Sequence, residues 1–124
     1  MAKIKIVETI VPDPAGMSAS TATEFASRGW LFYSHQKYEK AVDDFHQVLE
    51  IDKNDVDGWY GLGLSLKFAG STVDAVEAFN KVLGLINTLE DKQRANVLGR
   101  LVKGQINQIQ TGDWDLEKEV WKRS

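Results

Sequence analysis

His35 and His46 are the only imidazoles in the chain, and general acid–base or zinc chemistry would have to start from them. No second histidine stands at metal-ligand spacing from either. His35 falls in an expected turn and His46 on the polar side of an expected helix, so both read as solvated. The run Asp52-Lys53-Asn54-Asp55-Val56-Asp57-Gly58 has the closely spaced carboxylates of a calcium loop. Counted from Asp52, however, the third oxygen position is Val56, the glycine falls one residue late and no glutamate closes the loop. It reads as a turn between helices that supplies their caps. Gly61-x-Gly63 suggests a phosphate cradle, but such glycines need a preceding strand and a third glycine at the helix mouth. Ser65 lacks the strand-turn-helix elbow of a nucleophilic serine. The carboxylates of Asp43, Asp44, Glu90 and Asp91 fall at positions expected to be exposed. The chain has no cysteine, which excludes disulfides, thiolate zinc sites and a cysteine nucleophile. No catalytic, cofactor or metal constellation stands out, so no enzyme activity is expected.

The elements that carry these residues follow from self-comparison. Sliding the chain against itself by 34 residues places Gly29 on Gly63, Ala41 on Ala75, Val42 on Val76, Phe45 on Phe79, Val48 on Val82 and Leu49 on Leu83. Phe25 meets Trp59 and Phe32 meets Leu66 at the same shift. Each unit reads as two helices. Tyr38, Ala41, Val42, Phe45, Val48 and Leu49 recur at three- and four-residue steps, the apolar stripe of an amphipathic helix. Ala75, Val76, Phe79, Val82, Leu83 and Ile86 repeat that stripe. The preceding helices carry Phe25, Gly29 and Phe32, then Trp59, Leu62, Gly63 and Leu66. A glycine inside a helix costs about 1 kcal/mol against alanine, so Gly29 and Gly63 imply close approach of the paired helix. Thr21-x-x-Glu24, Ser71-x-x-Asp74 and Thr88-x-x-Asp91 have the form of capping boxes. Asp55 and Asp57 can cap the second unit, and Gly70 suits a left-handed turn. Gln36 stands at the equivalent place in the first unit, so that turn is expected to be strained or differently shaped.

These residues resemble the tetratricopeptide repeat family, whose 34-residue pattern runs tryptophan, leucine-glycine, tyrosine, alanine, phenylalanine and a closing proline. The second unit matches as Trp59-x-x-Leu62-Gly63-x-x-Leu66 with Ala75-x-x-x-Phe79. The first matches less fully, as Phe25-x-x-Arg28-Gly29-x-x-Phe32 with Ala41-x-x-x-Phe45. Lys53 and Asn87 replace the closing prolines. Leu98-Gly99 opens a third unit at a spacing of 36, with the insertion near residues 84–88. Beyond it, Ala95, Leu98, Leu101, Val102, Ile106 and Ile109 form one long stripe, read as a single capping helix over 89–110. The resemblance thus implies an all-α solenoid. Residues 1–19 form an extended or flexible segment, 20–53 the first unit, 54–87 the second, 88–111 the capping helix and 112–124 a short helix or tail with Trp114 and Trp121 as anchors.

The first helix of each unit in such an array lines its concave surface. Helical steps from Tyr60 give Leu64, Lys67 and Phe68 beside the core positions of the second unit. The 34-residue shift gives Ala26, Trp30, Tyr33 and Ser34, and the capping helix adds Asn96, Arg100, Lys103 and Gly104. Rings and cations are the usual anchors of interfaces. The expected ligand is therefore a peptide or helix with apolar anchors and some negative charge, held by Trp30, Tyr33, Tyr60, Leu64, Lys67, Phe68, Asn96, Arg100 and Lys103. The same rings could instead only pack neighbouring helices together, and both readings stand at this point. Some members of the family clamp the C-terminal carboxylate of heat-shock chaperones with a lysine and an asparagine on the first helix. Ala26 and Trp30 occupy those places here, which argues against that role.

The resemblance and the ring surface together imply an adaptor or chaperone-like module that captures a segment of another protein. At 124 residues, 43% hydrophobic and 27% charged, the chain suits one globular domain. Its net charge of −3 does not attract nucleic acid globally. No window approaches the roughly 18 apolar residues of a membrane span, and residues 1–8 interleave charge with apolar residues, so neither a membrane segment nor an export signal is expected. A cytoplasmic location fits the lack of cysteine. The β-branched residues Ile4, Ile6, Val7, Ile10 and Val11 suit an extended strand, for which an all-α fold offers no sheet. The alternative reading is a structural homo-oligomer or a subunit of a larger assembly, built through the aromatic surface and the N-terminal strand, with residues 3–11 pairing between two copies.

Overall fold

A computed structural model describes residues 13–113. A short 3-10 turn, Pro14–Gly16, precedes α1 (Ala22–Ser34), α2 (Tyr38–Ile51), α3 (Val56–Ala69) and α4 (Thr72–Leu85). A second 3-10 turn, Ile86–Thr88, then leads into α5 (Lys92–Thr111). The architecture is all-α. Each helix packs chiefly on its neighbours in the chain, α1 on α2, α2 on α3, α3 on α4 and α4 on α5, which is the order of a stacked repeat. The strand expected over residues 3–11 and the short helix expected after Trp114 lie outside the described residues.

Local chemistry sets the helix ends. Thr21 and Glu24 form the capping box expected of them. The backbone amides of Ser20 and Thr21, which donate to the Glu24 carboxylate, hold its pKa below the ordinary value. The two hairpin turns are built alike: Lys37 N–H donates to Phe32 O at 2.8 Å, and Ser71 N–H to Leu66 O at 2.9 Å. Gly70 takes the left-handed conformation at φ 95°, whereas Gln36 is forced into it at φ 62°, the strain expected there. Asp55 accepts from Gly58 N–H and starts α3.

Some helix ends and one carboxylate differ from the sequence expectation. Ser71 stands at the head of α4 but makes no side-chain cap bond. Thr88 does not open the last helix, because its hydroxyl donates to Leu85 O inside the 3-10 turn. Asp91 is the cap instead, so α5 begins at Lys92 rather than Leu89 and runs to Thr111. Asp44, expected at the surface, is only 3% exposed, because its carboxylate meets Arg28 inside the first hairpin.

Two apolar clusters form a continuous interior. Phe45, Val48, Leu62 and Ala78 belong to the first, and Phe79, Val82, Leu98 and Val102 to the second. Phe45 and Phe79 are wholly buried. Among the described residues one buried side-chain polar atom is left unsatisfied: the Ser65 hydroxyl lies inside α3 without a hydrogen-bond partner. Ser65→Ala removes an unsatisfied group at little change in volume and improves helix propensity. It is expected to raise stability by about 1 kcal/mol in denaturant or thermal melting. An unchanged or lowered midpoint would mean that this hydroxyl is satisfied in solution.

Candidate functional site

The first helices of the units, α1, α3 and α5, carry the residues singled out from the sequence. The structure divides them by burial. Leu64 is 7% exposed in the second core cluster with Leu98 and Val102, so it belongs to the interior and not to a surface. The shift that paired it with Trp30 could not show this, because the helix that covers Leu64 is α5.

Trp30, Tyr33 and Tyr60 are half-buried. The Trp30 ring stands edge-on to Phe45 at 4.9 Å between centroids, and Tyr33 packs edge-on to Tyr38 and Phe68. Burial raises the phenol pKa of both Tyr33 and Tyr60, and a hydrogen bond to Gln105 partly offsets that for Tyr60. These rings therefore help pack α1 on α3 and α3 on α5 while keeping part of their surface open.

Phe68 ends α3 in a different situation. It is 49% exposed and stacks on Tyr38 at 5.4 Å with 27° between planes, so a ring shelf of Tyr33, Tyr38 and Phe68 forms beside the turn that follows α1. The Lys67 ammonium lies 5.2 Å from the Phe68 centroid and donates to Gln105 Oε1 at 2.6 Å and to Gln108 Oε1. Burial lowers its pKa. The cation thus faces amides and a ring, with no carboxylate paired to it among the described residues. Asn96, Arg100 and Lys103 are exposed on α5, a helix that carries no acidic residue.

Trp30 also lines a groove of about 310 Å³ with Ala22, Thr23, Ala26, Ser27, Asp55, Asp57 and Gly58. Self-comparison found only Ala26 and Trp30 of this set, since the groove lies between two units and its other wall comes from the inter-repeat turn. Asp57 pairs with Arg94 across to α5, an exposed contact of little energetic weight. The groove is thus acidic at the start of α3, where Asp55 and Asp57 line it. Of the run from Asp52 to Gly58, residues 52–55 form that turn and 56–58 begin α3; Asp52 Oδ1 accepts from Asn54 N–H, and no three potential metal ligands gather among the described residues.

Residues 29–67, from the middle of α1 to the last turn of α3, match the family model described as the TPR repeat. Over that segment the chain carries the tetratricopeptide repeat pattern. Peroxisomal targeting signal receptors are similar to it. That of Kluyveromyces lactis is 37% identical over 57 residues, 46% of this chain and 10% of the receptor. That of Candida albicans is 34% identical over 74 residues, 60% of this chain and 12% of the receptor. The chain therefore spans about a tenth of the length of the relatives it matches. No solved structure matches it significantly. A tetratricopeptide array of this kind is a protein–protein interaction module, and no helix among the described residues is long and apolar enough to cross a membrane.

Proposed function

We propose that this tetratricopeptide module holds a peptide or helical segment of a partner protein along α1, α3 and α5. Trp30, Tyr33, Tyr60 and Phe68 offer ring surface to apolar anchors. Lys67, Arg100 and Lys103, with Asn96 as a hydrogen-bonding neighbour, meet negative charge on the ligand. The observation that carries the reading is the pairing of Phe68 with Lys67. A half-exposed ring and a partly desolvated cation without a counter-charge are both left incomplete by the fold. The names of the relatives, receptors for a targeting signal, agree with a role in taking up a segment of another protein. The reading places the module in the cytoplasm as a non-catalytic adaptor.

Selection of binding peptides on the immobilised chain tests it. Peptides so obtained are expected to carry apolar residues with acidic neighbours. Phe68→Ala/Lys67→Gln should weaken them at least tenfold, about 1.4 kcal/mol, with the helical circular dichroism unchanged. Equal binding by the variant would remove the shelf from the site. A dimer that disappears on deletion of residues 1–12 would favour the self-assembly reading instead.

A further inference from the structure

A second crease lies between α2 and α4 and shares no residue with the groove at Trp30. It encloses about 280 Å³, with Trp59, Leu62, Leu66 and Ala78 as its apolar floor and His46, Asp74, Glu77 and Lys81 around it. That volume is small for a drug-sized ligand and suits one long side chain. The Trp59 ring is fixed in place, because its Nε1–H donates to Lys53 O at 2.8 Å.

The charges around the crease are unbalanced. Asp74 and Glu77 stand against the single cation of Lys81, and neither carboxylate has an ion pair among the described residues. Lys81 follows Glu77 by four residues, the order in which a helix favours a Glu–Lys pair. Its ammonium instead lies over the Trp59 ring, 5.9 Å from the centroid. The crease thus already holds one cation against its aromatic face and leaves two carboxylates unpaired beside it.

We propose that this crease docks an arginine side chain from the surface of a partner protein. A guanidinium is planar and weakly hydrated, so it stacks on an indole better than an ammonium does, and its fork can engage a carboxylate with two hydrogen bonds. The incoming arginine displaces Lys81 from the Trp59 face, takes Asp74 and Glu77 as counter-charges, and lays its methylenes on Leu62 and Leu66. A ring held by its own hydrogen bond needs no ordering on binding. The site is independent of the shelf at Phe68, so one protein could be held by both surfaces or two proteins by one each.

The test uses the full chain and the indole N–H resonance of Trp59, identified by its loss in Trp59→Phe. N-acetyl-arginine amide is expected to shift this resonance saturably in the millimolar range, while the neutral isostere N-acetyl-citrulline amide does not. Lys81→Ala removes the resident competitor and should tighten binding about threefold. Asp74→Asn/Glu77→Gln should weaken it by at least as much, and Phe68→Ala should leave it unchanged. Equal shifts with citrulline, a preference for N-acetyl-glutamate amide, weaker binding in Lys81→Ala, or no shift with the arginine compound would each overturn the proposal.

Discussion

A Gly61→Ala chain is expected to be less stable than the parent by about 2 kcal/mol, a fall of roughly 8–10 °C in melting temperature, although alanine is the better helix former. The reason lies in the ring opposite. A Cβ on Gly61 would stand 2.5 Å from Cε1 and Cζ of Phe45, well inside van der Waals contact. The ring has no room to retreat. It is wholly buried, its other edge lies against Gly29, where a Cβ would already be 3.2 Å away, and Trp30 stands edge-on to it at 4.9 Å. The first and second units therefore close on one another through a glycine on each side of Phe45. Gly63 plays the corresponding part against Phe79 within the second unit, again at 2.5 Å. Gly84 provides the contrast: it lies in α4 with nothing within 4 Å of a built Cβ. Gly84→Ala should stabilise by about 0.5–1 kcal/mol through helix propensity alone. Denaturant melts of the two variants give opposite signs if packing decides. If both gain stability, the close approach at Phe45 is not a constraint in solution.

The same glycine shows where self-comparison loses information. A shift of one repeat length matches residues that do the same work inside each unit, so it found Gly29 and Gly63, Phe45 and Phe79, and the apolar stripes of all four repeat helices. It could not find contacts between units, because a shift of one repeat compares like positions and carries no information on what the neighbouring unit places opposite them. Gly61 has Ser27 as its equivalent, an exposed residue, and nothing in that pairing signals a buried contact. Leu64 failed for the same reason: its equivalent is the half-open Trp30, while α5 buries it. The shelf was partly legible. Phe68 and Lys67 follow from helical steps, but Tyr38, which stacks on Phe68, was assigned to the core stripe of α2. The crease at Trp59 was not legible at all, since residues of three helices meet there and no single periodicity contains them.

Arg28 is the most informative departure from the repeat. It stands where the second unit has Leu62 and would be counted as a defect in the pattern. Its partner is Asp44, which stands where the second unit has Ala78. Arg28 Nε and Nη2 donate to the two carboxylate oxygens at 2.8 and 2.7 Å, and Nη1 donates to Met17 O at 2.8 Å. The hydrogen bond to Asp44 raises the arginine pKa. The first unit thus fills with a charged pair the space that the second fills with Leu62 and Ala78, both buried. Arg28→Leu alone leaves the Asp44 carboxylate in the interior without its counter-ion and is expected to cost about 3–5 kcal/mol. Arg28→Leu/Asp44→Ala transplants the second unit's own solution into the first and should recover all but about 1 kcal/mol, because replacing a buried pair by matched apolar groups is often neutral. One function of the arginine would not return. Without its third donor, Met17 O loses the bond that ties the Pro14–Gly16 turn to α1. Amide exchange at Gly16 and Met17, whose N–H groups bond Asp13 O and Pro14 O, is therefore expected to quicken in the double variant while exchange in α3 stays at parental rates. A double variant as unstable as Arg28→Leu would show that the two units differ in more than this pair. Unchanged exchange at Gly16 and Met17 would show that buried Pro14, rather than the arginine, holds the segment in place.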